Sequence, residues 1–219
     1  SELVKFGGDM VSLQPDNPVE YITWWSAAEY ANRVSIKMGF EPAYDFSEVH
    51  FISGTSAEHG TLDSQGSAAF KINAASGDVY SANGFRLPTE AEQEYLLRGA
   101  TGSNSKYHFG DDVAGLAKYA WYGEGVDGST HAVAQKKPLI VDGKALFDLH
   151  GNVSEWSNDY RGKLIGGVNP AGPTSGWHHG LRGGNWQGAA EDLGAASRAG
   201  SYAGNQFSTL GFRLVRTLK

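Results

Sequence analysis

The 219-residue chain carries a net charge of −6 and contains no cysteine. Its acidity leaves no basic footprint for nucleic acid or for an anionic membrane surface. The lack of cysteine excludes disulfides, thiolate metal sites and cysteine nucleophiles. With 40% hydrophobic and 19% charged residues, the composition predicts one globular domain over residues 1–219, and no apolar run is long enough to insert into a membrane.

The N-terminal part is predicted to begin without regular structure. Residues 1–19 are predicted to be an irregular entry segment, which ends at Pro18. A helix is predicted over residues 22–38, because Thr23 is a candidate N-cap, with Ser26 and Glu29 as an alternative capping box, and Gly39 stands where a C′ glycine belongs.

The next elements are two short strands and a second helix. Residues 43–46 and 70–73 alternate in polarity and are predicted strands, with a surface excursion rich in Gly, Ser and Ala between them. Thr89 and Glu92 form a capping box for the second helix, which should close at Arg98 and the glycine after it.

The rest of the chain is organised around residues 146–156. Residues 100–145 are predicted to be mostly loop. Within the central stretch, Gly151 and Asn152 are a turn signal, because both tolerate positive φ. A loop rich in Gly and Pro is predicted at 161–180, and a closing strand at 211–215.

Oxygen ligands are concentrated in the central stretch. Asp148, the carbonyls of residues 151–153 and Glu155 could converge on one hard cation, and calcium prefers such a mixture of carboxylate and carbonyl oxygens. The alternative is that Glu155 caps a turn or pairs with an arginine and that no metal binds.

Three blocks of sequence together resemble one known family. They are Phe-Asp-Leu-His-Gly-Asn-Val-Ser-Glu-Trp at 147–156, Gly-Phe-Arg-Leu-Pro-Thr-Glu-Ala-Glu-Gln-Glu-Tyr at 84–95, and Leu-Arg-Gly-Gly-Asn-Trp at 181–186 followed by Gly-Phe-Arg-Leu-Val-Arg at 211–216. In this order they resemble the signatures of the formylglycine-generating enzyme (sulfatase-modifying factor) superfamily. The resemblance covers about residues 17–216, and Gln93 stands where that family usually has Trp.

The resemblance implies a fold and a metal site. The expected fold class is α+β: a loop-rich, C-type-lectin-like domain with two main helices and a small antiparallel sheet. The motif of the family's N-terminal strands is not found, so those strands are expected to be absent or to be supplied by another chain or element. The family's calcium ligands correspond to Asp148, Gly151, Val153 and Glu155, which implies a structural Ca²⁺.

The resemblance fails at the residues that carry the family's chemistry. The two copper-binding cysteines of formylglycine-generating enzymes would fall at Gly188 and Leu193. Neither residue can bind copper, so that activity is not expected. A related iron-dependent branch uses a His-x3-His-x-Glu motif, and no pair of histidines here has that spacing. We therefore expect no enzyme, no copper and no iron.

The basic and imidazole side chains have structural interpretations. Arg86, Arg182 and Arg213 are predicted to be buried and to satisfy loop carbonyls. His150 is predicted to be packed and hydrogen-bonded to a loop carbonyl. His178 and the following histidine are predicted to be a solvated loop pair, since neighbours on a strand point to opposite faces.

The segment 187–210 is the most informative for function. It is rich in Gly, Ala and Ser with a few aromatics, a composition typical of adaptable binding surfaces. It resembles the diversified segment of the variable proteins of diversity-generating retroelements, some of which use this fold. Gln187, Glu191 and Gln206 are not reachable by adenine mutation of Asn codons and would have to be fixed. The alternative is an ordinary domain with a drifted loop.

The predicted function is a non-enzymatic module that binds a protein or a glycan. The predicted ligand-binding residues are Trp177, His179, Trp186, Gly188, Tyr202, Asn205 and Phe207. An extracellular, cell-surface or periplasmic location is favoured, and an oligomer is compatible with the sequence.

Two other functions remain open at this stage. One is a structural subunit of a surface or secreted assembly. The other is an oxidoreductase-like enzyme that uses non-cysteine groups, for which His179, Asp159 and Glu191 are the candidates.

Overall fold

The computed structural model describes residues 2–6, 9–13, 16–47, 71–72, 77–125, 127–163 and 166–218. The two α-helices are α1 (Trp24–Lys37) and α2 (Glu90–Leu97). The strands are β1 (Glu2–Phe6), β2 (Asp9–Leu13), β3 (Tyr44–Asp45), β4 (Lys71–Ile72), β5 (Ala120–Trp121), β6 (Leu139–Val141), β7 (Lys144–Leu146), β8 (His150–Gly151), β9 (Ser154–Tyr160), β10 (His179–Arg182), β11 (Ala199–Ser201) and β12 (Leu210–Gly211). Short 3-10 helices lie at Val79–Ser81, Val113–Lys118 and Ala190–Leu193.

Both predicted helices are confirmed, with the predicted caps. The Thr23 side chain accepts a hydrogen bond from the Ser26 N–H at the start of α1, and Gly39 follows the helix at φ +78°. At the start of α2, the Thr89 and Glu92 side chains satisfy each other's backbone N–H groups. These local bonds pair amides that the first turn of a helix leaves without partners.

The main sheet has four strands in the order β11-β10-β9-β12. A small sheet was predicted and is confirmed, but it is not purely antiparallel, because β12 runs parallel to β9. The closing strand is also shorter than predicted, since only Leu210–Gly211 pairs with β9 and Val215 forms an isolated bridge with Arg86. All seven residues of β9 are buried, so this strand lies at the centre of the fold.

Part of the N-terminal segment is regular, contrary to the prediction. The β1 and β2 strands form an antiparallel hairpin in which Glu2 faces Leu13 and Phe6 faces Asp9. The prediction of irregular structure was wrong for these strands, because it rested on a family motif and missed a plain hairpin. The short pair of β3 and β4 is confirmed, although residues 70 and 73 of the prediction lie outside the described ranges.

Tryptophans join α1 to β9 at the centre of the core. The Trp24 Nε1–H donates to the carbonyl of Ser157 at 2.9 Å, and the Trp156 Nε1–H donates to the carbonyl of Ile22 at 2.9 Å. Both indoles are fully buried. Each indole therefore fills the core and satisfies a carbonyl, on β9 in the first case and on the segment just before α1 in the second, which fixes the helix against the sheet.

The predicted central turn is confirmed. Gly151 and Asn152 have φ values of +75° and +61°. A Cβ on Gly151 would lie 2.2 Å from the carbonyl oxygen of Trp121, so only glycine fits there. Within the described part of the chain, no helix is both long and apolar enough to cross a bilayer.

Candidate aromatic binding surface and cation cleft

The loop between β11 and β12 is fastened to the core by its backbone. The carbonyl of Ala203 accepts a hydrogen bond from the N–H of Trp24 at 3.0 Å, and the carbonyl of Phe207 accepts one from the N–H of Tyr21 at 3.1 Å. The carbonyl of Ser208 accepts a third bond from the Trp186 indole at 3.2 Å. Three hydrogen bonds from residues outside the loop thus hold its backbone against the core.

Four large aromatic side chains on or beside this loop face solvent. The exposed fractions are 50% for Tyr21, 61% for Trp177, 49% for Tyr202 and 48% for Phe207. The ring of His178 contacts the ring of Tyr202 edge-on, with centroids 4.3 Å apart. We call these five residues the aromatic surface.

Three of the predicted ligand-binding residues therefore lie on the aromatic surface, namely Trp177, Tyr202 and Phe207. Asn205 is half-buried in the same loop, and its side-chain amide donates to the Ser201 hydroxyl at 2.9 Å. Gly188 is half-buried, and its carbonyl accepts from the N–H of Gly123, so it lies against a different loop. Binding by these residues stays a prediction.

His179 was predicted to border this surface, and that placement was wrong. Its ring is fully buried and stacks between Trp24 and Tyr160, with centroid distances of 4.0 and 4.2 Å. Burial lowers the pKa of His179 to about 3, so the imidazole is neutral at physiological pH. His178, predicted to be merely solvated, takes the outward position.

Trp186 was also predicted to contact a ligand, and this contact stays a prediction. It is only 4% exposed, and its indole supports the loop through a hydrogen bond to the carbonyl of Ser208. Tyr21 is the reverse case, because it was not among the predicted residues and is half exposed. It precedes α1 far from the loop in sequence, and only the backbone bond to Phe207 brings the two together.

The predicted calcium ligands are partly assembled. Asp148, Val153 and Glu155 line one cleft of about 320 Å³, together with Arg213, whereas the fourth predicted ligand, Gly151, does not line it. The guanidinium of Arg213 contacts both carboxylate oxygens of Glu155 at 2.5 Å. It also donates to the carbonyls of Phe147 and Asp148 at 3.2 and 3.0 Å. The guanidinium of Arg213 therefore already places one positive charge among these oxygens.

The structural roles predicted for Arg86, Arg182 and His150 are confirmed. Arg86 and Arg182 are buried and donate to the carbonyls of Leu87 and Ser197. Each also pairs with a carboxylate of α2, which the sequence analysis did not foresee. His150 is fully buried, and its Nδ1 lies 2.7 Å from the carbonyl of Leu193.

The candidate groups for other chemistry do not form one site. Asp159 is buried and accepts the Glu90 N–H at 2.9 Å, so it caps α2, and burial raises its pKa to about 6. Glu191 is exposed on the 3-10 helix, whereas His179 is in the core. Of the two copper positions, Leu193 is fully buried and Gly188 has no side chain.

Within the described ranges, no group of three or more histidines and carboxylates is placed to hold a metal ion.

Known proteins are similar to this chain over different lengths of sequence. Residues 5–218 match the model of the sulfatase-modifying factor enzyme 1-like domain. The chain is 26% identical over 215 residues to a chaperone protein LppX of Paenibacillus barcinonensis, covering 92% of this chain and 70% of that protein. It is 31% identical over 148 residues to the formylglycine-generating enzyme of Streptomyces coelicolor, which covers 59% of this chain and 46% of that enzyme.

Solved structures share the fold. Treponema denticola variable protein 1 is 33% identical with a TM-score of 0.71, and the match covers 93% of this chain and 72% of that one. The structure of CarF is 26% identical with a TM-score of 0.60, covering 93% of this chain and 69% of that one. The α+β fold of the formylglycine-generating-enzyme type is thereby confirmed. On the family match over residues 5–218, this chain belongs to the sulfatase-modifying factor enzyme 1-like domain family.

Proposed function

We propose that this chain is a non-enzymatic binding module whose aromatic surface contacts a protein partner, with a glycan as the alternative ligand. The observation that carries the proposal is the exposure of four aromatic side chains: Tyr202 and Phe207 on a loop whose backbone is bonded to the core, and Tyr21 and Trp177 on the segments before α1 and β10. Aromatic side chains provide large contact area and lose little rotamer entropy on binding. A loop that is already ordered adds little further entropic cost.

The comparisons support the proposal at a general level. A variable protein shares the fold at 33% identity, although other members of the family are enzymes. The chain itself has no cysteine, and Gly188 and Leu193 stand at the family's copper positions. Copper–thiolate chemistry therefore has no ligands here.

The binding proposal is tested by comparing three variants. The immobilised protein is used to select from a displayed peptide library and to probe a glycan array, and the retained ligands are then tested on Tyr202→Ala, Phe207→Ala and Tyr95→Ala. Tyr95 is 50% exposed on α2, outside the aromatic surface, and serves as the matched control. We expect the first two substitutions to weaken binding at least tenfold and Tyr95→Ala to leave it unchanged. Equal effects of all three, or no selective ligand in either library, would overturn the proposal.

We also propose that the segment 186–210 is diversified by a retroelement. The support is its composition and the similarity to a variable protein. The test is to sequence the DNA beside the gene. We expect a near-copy of the codons for residues 186–216 that differs almost only at adenines, next to a reverse transcriptase, with Gln187, Glu191 and Gln206 unchanged. If no such copy exists, the loop is fixed and this part of the proposal is rejected.

A location outside the cytoplasm, at the cell surface, is part of the same proposal. Protease treatment of intact cells is the test. We expect the chain to be cleaved with the cells intact, and protection from protease in intact but not in opened cells would contradict the cell-surface location.

Structural calcium in the cleft is a separate proposal. The residues fit the ion in type, since two carboxylates, Asp148 and Glu155, and the Val153 backbone line a cleft that contains one guanidinium. The cleft thus keeps a net negative charge that favours a cation, although Arg213 competes for Glu155. We expect millimolar Ca²⁺ to raise Tm relative to EGTA, and Asp148→Asn to reduce that rise. An unchanged Tm would reject the site.

A further inference from the structure

A small cavity lies beside the ion pair of Glu155 and Arg213. Its volume of about 10 Å³ admits one water molecule. It is lined by Gln93, Leu96, Leu97, Leu149, Glu155, Arg182, Gly183 and Arg213. The cavity shares Glu155 and Arg213 with the 320 Å³ cleft, so the ion pair separates the cavity from the cleft.

Two of the residues that line this cavity carry a buried N–H donor with no acceptor among the described residues. The donors are the Nε2 amide of Gln93 and the Nε of Arg182. Gln93 is 4% exposed, and its Oε1 is used by the hydroxyl of Ser157, so only the amide nitrogen is left. Arg182 is 2% exposed, and its terminal nitrogens are used by Glu94 and by the carbonyl of Ser197. Leaving such donors without a partner is costly in a folded protein.

The carboxylate of Glu155 adds a hydrogen-bond acceptor to the lining of the cavity. Each carboxylate oxygen of Glu155 receives one hydrogen bond from Arg213, and a carboxylate oxygen has a second lone pair for another donor. The cavity therefore presents two donors and one acceptor. The cavity has room for one water molecule only, and the guanidiniums of Arg182 and Arg213 are already paired with the carboxylates of Glu94 and Glu155, so no further ion is needed to balance charge. A water molecule accepts from both donors and donates to the carboxylate.

We propose that this cavity is a binding site for one internal water molecule that joins Gln93, Arg182 and Glu155. The water completes a polar layer that links α2 to β9 and β10. This layer lies within the apolar core, because Leu96, Leu97 and Leu149 form the remaining walls. The proposal rests on the packing of the domain and is independent of the ligand-binding function.

The site can be tested on the unmodified protein. Water-oxygen magnetic relaxation dispersion counts long-lived internal waters, and a crystal structure at high resolution locates them. We expect a water 2.7–3.2 Å from both nitrogens, within about the usual hydrogen-bond range. Anomalous scattering from crystals soaked in bromide should show no peak in the cavity. A bromide peak, or direct bonding that closes the cavity, would overturn the proposal.

A matched pair of variants tests the role of Gln93. Gln93→Met keeps the length of the side chain and removes the donor, whereas Gln135→Met makes the same change at an exposed position. We expect Gln93→Met to lose one long-lived water and to lower Tm by a few degrees, and Gln135→Met to change neither. An unchanged water count in a folded Gln93→Met protein would show that Gln93 does not hold the water.

Discussion

His178 and His179 are adjacent in the chain but lie in different environments. His179 stacks between Trp24 and Tyr160 in the core, whereas His178 lies at the surface against Tyr202. A strand turns successive side chains to opposite faces, so the pair could be divided in this way from sequence. The sequence does not show which of the two faces is buried, because that depends on Trp24, which comes from a distant helix.

This difference predicts unequal effects of the same substitution. His179→Ala should lower the free energy of unfolding by about 2–4 kcal/mol, because it leaves a cavity between two aromatic rings. His178→Ala should change it by less than about 0.5 kcal/mol, as is usual for surface positions. Urea unfolding measures both. Similar values for the two variants would contradict the assignment of His179 to the core.

The ion pair of Glu155 and Arg213 should show strong coupling. Both side chains are mostly buried, at 12% and 21% exposure, so removing one partner leaves a desolvated charge. We expect Arg213→Met to cost about 2–4 kcal/mol, and Glu155→Gln to restore part of this loss when added to it. A double-mutant cycle in urea is the measurement. Additive effects would show that the pair is solvated.

At the scale of single elements, α2 depends on its first turn. The Thr89 hydroxyl accepts from the N–H of Glu92, whose carboxylate in turn accepts from the N–H of Thr89 and pairs with Arg86. Thr89→Ala should therefore cost about 1–2 kcal/mol in urea unfolding. Thr174→Ala, at an exposed position, is the control and should have almost no effect. A small loss at Thr89 would mean that the ion pair of Glu92 and Arg86 alone holds the turn.

The elements differ in how well the sequence predicts them. Both α-helices and the central turn were predicted, because caps and positive-φ residues are local signals. The parallel pairing of β12 and the β1–β2 hairpin were missed. The parallel pair joins residues far apart in sequence, and no local pattern encodes it.

The candidate site was predicted less completely than the fold. Trp177, Tyr202 and Phe207 are exposed as expected, but Trp186 and His179 are buried. Composition identifies a segment rich in adaptable residues, yet it cannot tell which aromatic residues support the loop and which face solvent. That distinction depends on tertiary bonds, such as the one from the Trp186 indole to Ser208.

At the scale of the whole molecule, three buried histidines make the stability of the fold depend on pH in the acid range. Burial lowers the pKa of His108 to about 4, of His150 to about 3 and of His179 to about 3. Their ordinary value is 6.5, so between pH 6.5 and 4 the unfolded chain binds protons that the folded chain refuses. Asp159 opposes this, because burial raises its pKa from 3.8 to about 6 and the folded chain binds the extra proton there.

Stability should therefore fall as the pH is lowered from 6.5 towards 4. His150 and His179 together outweigh Asp159 by one proton, which corresponds to about 1.4 kcal/mol per pH unit below pH 6, and His108 adds to the loss. These groups should leave the urea concentration at the unfolding midpoint unchanged between pH 7.5 and 6.5. Between pH 6.5 and 4.5 the midpoint should decline. Asp159→Asn removes the opposing group and keeps a side-chain oxygen for the Glu90 N–H, so its decline should be steeper than that of the unmodified protein. A midpoint that stays constant down to pH 4.5 would mean that the three imidazoles are protonated in the folded state and that the aromatic stack around His179 accommodates a charge.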